Sequence, residues 1–469
     1  MDDNNLQQTS SGAYKIDYEA DNIFSIIKQI FEHGDLFTKL SFLIMGLSNL
    51  VRGQIVKGLI FLCSEITFFW FMFTSGFSNI ANFITLGDKE PTTVIGSDGF
   101  ERKIPGDKSL PMLLFGVVTF AIIVGFVILW KGSVKSAYLA QYDVERGKRP
   151  KSIIRDIKDL FDVNLHKTML FLPLIGIIAL TVSPLIFSIV IAFTNFNKSD
   201  HNGEMTLIDW VGFKNFGNVL GMSEKWGNSF WKVLLWTMAW AVFATFTTYI
   251  GGMLLAMLIN RKGIKYKSIF RTMFVISVAV PQFVTLLLIA KLFAVNGPVN
   301  TLLMEAGVLD EALPFFTQAS WARVMVVIIN VWVGVPYSML IMTGILMNIP
   351  ADLYESAKID GANNKVMFFK ITLPYMIFVT TPNLISSFIG NVNNFNVIYL
   401  LMGGAPDNPD LYYAGDTDLL VTWLYKLTKD QGLYGEASAI GILIFIISAT
   451  FALVTYRRSG AYKNEEEFQ

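Results

Sequence analysis

The sequence predicts an all-α integral membrane protein with about eight transmembrane helices. Of its 469 residues, 53% are hydrophobic and only 16% are charged, whereas soluble proteins usually carry about 25% charged residues. The apolar residues are also gathered in long runs, and a helix needs about 20 of them to cross a bilayer. Composition and run length together exclude a soluble protein.

Eight apolar runs meet or approach the length of a membrane span. They cover residues 54–75, 112–130, 168–193, 233–258, 272–293, 322–346, 376–390 and 436–456. The seventh is short and interrupted by polar residues, so the sequence does not define its ends. A further apolar stretch at 40–51 is too short to span, and we expect it to lie at the interface or buried.

The distribution of basic residues predicts the orientation of the chain. Eight spans put both termini on one side of the membrane. If that side is the cytoplasm, the inside segments hold 24 Lys and Arg residues, and the outside segments, nearly equal in total length, hold 10. Because cytoplasmic loops carry an excess of Lys and Arg, we expect both termini of this plasma-membrane protein to be cytoplasmic.

Several other classes of function find no support in the residues. Lys plus Arg and Asp plus Glu both number 37, so nothing indicates nucleic acid. The single cysteine, Cys63, excludes an internal disulfide. His33, His166 and His201 are far apart and have no metal-ligand spacing. No nucleophile–base constellation occurs, so we expect no enzyme, and the polar, acidic N-terminus is not a signal peptide.

The first 167 residues form an N-terminal region with two extra spans. A basic segment follows the second span, and within it one helix face is apolar, formed by Ile153, Ile154, Ile157, Leu160 and Phe161. Basic residues occupy the other face, so we expect this helix to lie flat on the inner leaflet. The alternative is an ordinary solvated linker helix. The core then spans 168–460, and 461–469 form a cytoplasmic tail.

A polar connector, "YESAKIDGANNKVMFFKITLP" at 354–374, separates the sixth and seventh spans. Good helix formers precede Gly361, which can adopt a positive φ and end a first short helix. Asn363 is a candidate cap for a second, and Pro374 sets the entry into the next span. With Met367, Phe368 and Phe369 facing the cytoplasm, the two helices would form a lever for a soluble partner. The alternative is a loop tucked under the membrane.

The connector resembles the EAA motif of the membrane subunits of binding-protein-dependent ABC importers. The matching residues are Glu355, Ala357, Asp360, Gly361, Ala362, Ile371, Leu373 and Pro374, with Ser356 where the family usually has alanine. The resemblance implies a six-helix type I permease core with a coupling loop at 351–374. It also implies a second permease subunit, two cytoplasmic ATPase subunits and an extracytoplasmic sugar-binding protein. The chain has no G-x₄-G-K-[ST] phosphate loop, so ATP would be bound by the partner and no cofactor by this chain.

Three segments narrow the resemblance to the F-type permeases of maltose and maltodextrin importers. These are "NVWVGVPYSMLIMTGILMNIPADLYESAKIDGA", "SSFIGNVNNFNVIYLLMGGAP" and "TDLLVTWLYKLT", and the likeness covers roughly 168–460. The enterobacterial permease carries a large extracytoplasmic domain between its third and fourth spans. Here that connection, 194–232, is too short to fold as a domain. This resembles Gram-positive relatives, which tether the binding protein as a lipoprotein.

The resemblance also implies a sugar site halfway through the membrane. The family's sugar-contacting positions fall on Val333, Gly334, Tyr337, Ser387, Gly390, Asn391 and Asn394. Amides offer both donor and acceptor to sugar hydroxyls, and tyrosine offers a ring and a hydroxyl. The alternative is hydrogen bonding between helices, worth about 0.6 kcal/mol on average.

Two departures from the family bear on the substrate. Gly390 replaces an aromatic residue that stacks on the sugar, and Val278 stands at the position of a site tyrosine. A site with fewer rings is expected to accept longer or different glycans. Maltodextrin is therefore the first substrate expected, and a galactan- or arabinogalactan-derived oligosaccharide is the second.

Two other classes of membrane protein are alternatives to the ABC importer interpretation. An ion-coupled secondary sugar transporter would need ionisable residues in the core spans, and three of them, 168–193, 233–258 and 376–390, have none. A membrane scaffold or receptor would not need a row of amides at bilayer depth. Glu65 is an acid well inside a span, and it is either a cation site or a structural, hydrogen-bonded residue.

Overall fold

The computed structural model describes residues 22–90, 92–95, 100–104, 106–150, 153–198, 207–222, 224–261 and 263–458. They fall into two compact units, one running to Val190 with 203–209 and the other formed by 191–202 and the rest. The third span is grouped with the first unit. The predicted division at 167/168 rests on the resemblance and stays a prediction, and the tail at 461–469 lies outside the described residues.

The N-terminal unit is built from helices and one exposed hairpin. Its elements are α1 (Ile23–His33), α2 (Leu36–Leu40), α3 (Leu47–Val51), α4 (Ile55–Phe71), α5 (Phe77–Thr85), β1 (Thr92–Ile95), β2 (Glu101–Ile104), α6 (Ser109–Glu145), α7 (Ile153–Phe161), α8 (Leu165–Ile177) and α9 (Ser183–Ile191). Single π-helical turns join α4 to α5 and α8 to α9. The antiparallel strands pair Thr92 with Ile104 and Ile95 with Glu101.

The C-terminal unit is all-helical in its described elements. They are α10 (Lys214–Gly217), α11 (Glu224–Asn260), α12 (Lys267–Ala279), α13 (Gln282–Leu292), α14 (Pro298–Glu305), α15 (Ala319–Met347), α16 (Ala351–Ile359), α17 (Asn364–Met367), α18 (Leu373–Val392), α19 (Phe395–Met402), α20 (Leu420–Lys429) and α21 (Tyr434–Arg458). A π-helical turn at Phe368–Thr372 joins α17 to α18.

The spans agree with the predicted architecture. Seven helical segments of the described chain are long and apolar enough to cross a membrane. The pair α12 and α13 makes the eighth, with a bend of 89° between them. Pro281 stands at this break, since it cannot continue the hydrogen-bond ladder of α12. Pro336, by contrast, lies inside an uninterrupted α15.

The short stretch at 40–51 is tied into the N-terminal unit by backbone hydrogen bonds. The amide of Met45 donates to Oε2 of Glu65 at 2.7 Å, and the amide of Gly46 donates to Oγ of Ser133 at 3.1 Å. Glu65 is 8% exposed. An acceptor at this depth satisfies an amide that has no water partner, so the structure gives Glu65 a structural role.

Helix α7 forms as predicted, with its apolar face uncovered. Ile154, Ile157 and Phe161 are exposed, and Nζ of Lys57 on α4 lies 2.9 Å from Oδ2 of Asp156. The ion pair holds the polar face of α7 to the first span. The placement of its apolar face in the inner leaflet stays a prediction.

In the C-terminal unit, α11 packs along α15 at small residues. A Cβ at Gly252 would overlap the Ser338 side chain, and one at Gly334 would lie 2.8 Å from Cγ2 of Thr248. Small residues at such contacts let two helix backbones approach closely in a membrane. The close approach brings the α11 and α15 faces to a common cavity.

We expect Gly252→Val to destabilise the fold, because the added methyls force α11 away from α15. Overpacking of this kind costs about 1–3 kcal/mol. The measurement is the thermal unfolding midpoint of the detergent-purified chain. Gly176→Val is the matched control, because a Cβ there meets no atom within 4 Å. Equal midpoints for the two variants would contradict the close-packing argument.

The 403–433 loop is ordered around a buried carboxylate, Asp418. Its Oδ2 accepts from the amide of Gly415 at 2.7 Å and from Nζ of Lys426 at 2.6 Å, while Oδ1 accepts from Oγ1 of Thr422 at 2.8 Å. Burial raises the pKa of the Asp418 carboxyl, although Lys426 and the donors oppose that rise. These bonds hold the segment, which includes α20, in a folded conformation.

Candidate functional site

A cavity of about 470 Å³ opens among α11, α13, α15, α18 and α19. Its lining is uncharged in the described part of the chain, and most of it is polar. Hydroxyl groups come from Thr245, Thr248, Tyr249, Tyr337, Ser338 and Ser387, and amides from Gln282, Asn330, Asn383, Asn391, Asn393, Asn394 and Asn396. Such a surface offers many donors and acceptors without a fixed charge.

Six of the seven predicted sugar-contacting residues line this cavity. They are Gly334, Tyr337, Ser387, Gly390, Asn391 and Asn394. Val333 is not in the lining and packs half-buried against the cluster that contains Trp240 and Ile329. Val278 is also outside the lining. The structure thus brings the two predicted segments together, and their contact with sugar stays a prediction.

Asn391 is held rigidly by α11. Its Nδ2 donates to Oγ1 of Thr245 at 3.0 Å, and its backbone carbonyl accepts from Nε1 of the fully buried Trp240 at 3.0 Å. Its Oδ1 accepts from Nδ2 of Asn394 at 3.3 Å. Hydrogen bonding between helices, the alternative for these amides, is therefore present. An amide has four bonding positions, so Asn391 keeps spare capacity toward the cavity.

Asn394 has a second structural task at the same place. It is the N-cap of α19, and its Oδ1 accepts from the amide of Val397 at 3.2 Å. The cap separates α18 from α19 and turns the chain at cavity depth. This leaves Nδ2 of Asn394 as its donor toward Asn391 and the cavity.

Tyr337 presents the most open ring of the cavity. Its side chain lies on α15 and is 60% exposed. No hydrogen bond to its hydroxyl occurs within the described residues, so both the ring face and the hydroxyl are available to a ligand. Aromatic faces bind apolar surfaces, and the hydroxyl adds a donor and an acceptor.

Sequence reasoning missed the contribution of α11. Thr245, Thr248 and Tyr249 lie three and four residues apart, so one helix face carries all three. That row of hydroxyls in an apolar span was the available signal. Gln282, the first residue of α13, reaches the cavity because the helix breaks at Pro281, and Asn330 bonds Thr248 at 3.4 Å.

If the cavity is the sugar site that the resemblance implies, Thr245→Val should weaken sugar recognition, because it removes the hydroxyl that orients Nδ2 of Asn391. One hydrogen bond is worth about 0.5–1.5 kcal/mol, so the apparent KM for sugar should rise roughly two- to tenfold with little change in maximal rate. The measurement is sugar uptake into proteoliposomes.

Thr247→Val is the matched control for this prediction. Thr247 donates to the Phe243 carbonyl within α11 and does not line the cavity. A similar rise in KM for both variants would contradict a specific role for Thr245.

The connector has the local geometry predicted for it. Gly361 ends the first helix with φ of +79°, and Oδ1 of Asn363 accepts from the amide of Val366 at 2.9 Å. The hydroxyls of Tyr354 and Thr372 are 2.9 Å apart. That bond holds α16 against the start of α18, so the connector is a folded pair of helices.

Apolar side chains of the connector stay uncovered. Ile359 is 87% exposed, Phe369 is 61% and Leu353 is 47%. Two of the predicted outward residues differ from expectation: Met367 is buried, and Phe368 is half-buried because it packs against the cluster that contains Met339 and Met376. The outward apolar surface therefore contains one of the three predicted residues, Phe369, together with Leu353 and Ile359.

The EAA-type residues are distributed over both faces of the connector. Exposed are Glu355, Ser356, Asp360, Gly361 and Pro374, and half-buried are Ala357, Ala362, Ile371 and Leu373. The exposed polar and apolar side chains form a surface that a second protein can contact. The half-buried side chains pack the connector against the spans.

Comparison with known proteins identifies a family and relatives that this chain resembles. Residues 248–459 match the family described as binding-protein-dependent transport system inner membrane component. The galactooligosaccharides transport system permease protein of Bacillus subtilis is 32% identical over 90% of this chain and 97% of its own length. The maltodextrin transport system permease protein of Streptococcus pneumoniae is 32% identical over 90% and 96%.

Two further matches are partial. The maltose/maltodextrin transport system permease protein of Salmonella typhimurium is 38% identical over 252 residues, 53% of this chain and 48% of its own. A crystal structure of a bacterial ABC transporter involved in the import of alginate matches with a TM-score of 0.50 and 24% identity, covering 65% of this chain and 97% of that one. The latter supports the fold. The chain belongs to the family of inner-membrane permease components of binding-protein-dependent ABC importers, and within it to the F-type carbohydrate permeases.

Proposed function

We propose that this chain carries neutral oligosaccharides, maltodextrins first, through the cavity between α11, α15 and α18. The observation that carries the proposal is the uncharged lining of amides and hydroxyls. A buried site of this kind recognises sugar hydroxyls and rejects analogues that leave its polar groups unpaired. It offers no cation to an acidic glycan such as alginate, so the likeness to the alginate importer supports the fold and not the substrate.

The residues have distinct proposed roles. Tyr337 stacks its ring on a sugar face, and Ser387, Asn391 and Asn394 bond the hydroxyls. Gly334 keeps α15 close to α11, and Gly390 leaves room for a further sugar unit. The second candidate is a galacto-oligosaccharide, because the Bacillus subtilis relative with that name is as similar as the maltodextrin permease.

Transport requires partner proteins that contact this chain on the two sides of the membrane. A loaded extracytoplasmic binding protein would deliver sugar, and a second permease would complete the pathway. Two ATPase subunits would dock on the connector, and ATP-driven closure would move α16 and turn the core from inward- to outward-facing. This chain would not hydrolyse ATP. The orientation with both termini in the cytoplasm places the connector on the ATPase side.

The test is sugar-stimulated ATP hydrolysis by the reconstituted complex with its binding protein. Maltotriose, maltotetraose and a β-galacto-oligosaccharide are compared in wild type and in Asn391→Ala. Stimulation by maltodextrins, weakened in the variant, supports the proposal. Stimulation by the galacto-oligosaccharide alone selects the second substrate. A sodium or proton dependence without ATP would favour an ion-coupled transporter and overturn the proposal.

A further inference from the structure

Two cations converge on one residue at the end of α11, and they have no acidic partner in the described chain. Nζ of Lys267 donates to the backbone carbonyl of Asn260 at 2.9 Å. Nη2 of Arg271 donates to Oδ1 of the same asparagine at 3.2 Å. Nδ2 of Asn260 in turn lies 3.3 Å from Oγ1 of Thr343 on α15. The cluster therefore joins α11, α12 and α15.

The charge of this cluster is not balanced. Lys267 and Arg271 lie four residues apart on one face of α12, and like charges at that spacing destabilise a helix. The chain has no acidic residue between Glu224 and Glu305. The carbonyl end of α11 offsets only part of the charge, about half of one elementary charge. An anion would balance the charge that remains.

Arg271 also has an unpaired hydrogen-bond donor, which indicates that a ligand binds here. Its Nε is buried and has no hydrogen-bond partner among the described residues. A buried donor left unpaired costs free energy, so such groups normally meet a protein atom, water or ligand. The guanidinium fork matches the geometry of a phosphate group, and a neighbouring ammonium adds a point charge.

The position of the cluster selects the source of the phosphate. Arg271 lies four residues into α12, roughly 6 Å above its start, at the end of the core that the proposed orientation puts at the inner leaflet. An anionic phospholipid of the inner leaflet places its phosphate at this depth, at the membrane interface.

We propose that Lys267 and Arg271 bind the phosphate of an anionic phospholipid, with Asn260 orienting both cations. The bound lipid joins the ends of α11, α12 and α15 beside the connector, which α15 enters after Met347. The site is separate from the sugar cavity and shares none of its lining residues.

The test uses the full chain, purified with whatever subunits accompany it and placed in nanodiscs of phosphatidylcholine and phosphatidylglycerol. Phosphatidylglycerol retained after detergent exchange is counted by native mass spectrometry. Loss of one cation at a membrane surface should lower the retention about fivefold in Arg271→Gln. Arg271→Lys, which keeps the charge, should retain more. Arg261→Gln is the matched control, since Arg261 is an exposed cation in the connection between α11 and α12.

Three results would overturn the proposal. One is equal retention of lipid by wild type and Arg271→Gln. Another is displacement of the lipid by inorganic phosphate, which would make this a free-phosphate site. The third is unchanged lipid with loss of an accompanying subunit, which would assign the cations to a carboxylate of that subunit. Lipid loss in Arg271→Gln but not in Arg261→Gln, insensitive to inorganic phosphate, supports it.

Discussion

Gly361→Pro is expected to abolish coupling between ATP hydrolysis and transport while the chain stays in the membrane at normal abundance. Gly361 has φ of +79°, and its amide donates to the Lys358 carbonyl at 3.0 Å. Proline requires φ near −65° and has no amide hydrogen. The substitution therefore redirects α16 relative to α17, and a small displacement of a working element can cost tenfold or more in rate.

The measurement is sugar-stimulated ATP hydrolysis and sugar uptake in proteoliposomes, normalised to the amount of assembled complex. Gly307→Pro is a matched control: Gly307 follows α14 with φ of +69°, and its amide donates to the Met304 carbonyl at 3.0 Å. It carries the same backbone strain outside the connector. Normal coupling in Gly361→Pro, or an equal loss of coupling in Gly307→Pro, would refute a specific role for the connector.

Gly390→Phe is expected to narrow the substrate range by filling the cavity. A Cβ at Gly390 meets no atom within 4 Å, and the residue lies in the cavity wall. The added ring therefore enters open space and does not disrupt α18. Crowding of a long oligosaccharide by this ring should cost about 1–3 kcal/mol, which is roughly a five- to hundredfold loss of tetrasaccharide uptake. Disaccharide uptake should be kept, since the ring offers a stacking surface.

The measurement is uptake of di-, tri- and tetrasaccharides from the same glycan series. Gly344→Phe is the matched control, because Gly344 is exposed on α15 outside the cavity and a Cβ there also meets no atom within 4 Å. Equal loss for all chain lengths in Gly390→Phe would mean that the position affects folding or gating and not width. A loss in Gly344→Phe would show that added bulk alone impairs the chain.

The spans and the connector could be predicted because their causes are local. A bilayer leaves no water for backbone groups, so long apolar runs must be helical. Gly361 and Asn363 act on the backbone within a few residues of themselves, and both took the predicted geometry. The burial of Met367 has no local cause. Whether a side chain at the edge of a connector faces outward depends on which helix packs behind it.

The cavity shows the same division between local and distant causes. Asn391 and Asn394 were recognised as amides at bilayer depth, yet their bonds to Thr245 and to the start of α19 depend on packing. Thr248 and Tyr249 could not be singled out from the sequence, because hydroxyl side chains also bond between or within membrane helices. Only the close approach of α11 to α15 turns that face toward the cavity.

By itself the sequence determined the membrane class, the number of spans, the connector and two of the segments that line the cavity. These follow from hydrophobic run length and short-range backbone chemistry. The tertiary structure decided that α11 supplies a wall of the cavity, that Val333 packs away from it and that Glu65 accepts an amide of the 40–51 stretch. Each of these depends on which faces of helices distant in sequence meet, and periodicity along one helix does not carry that information.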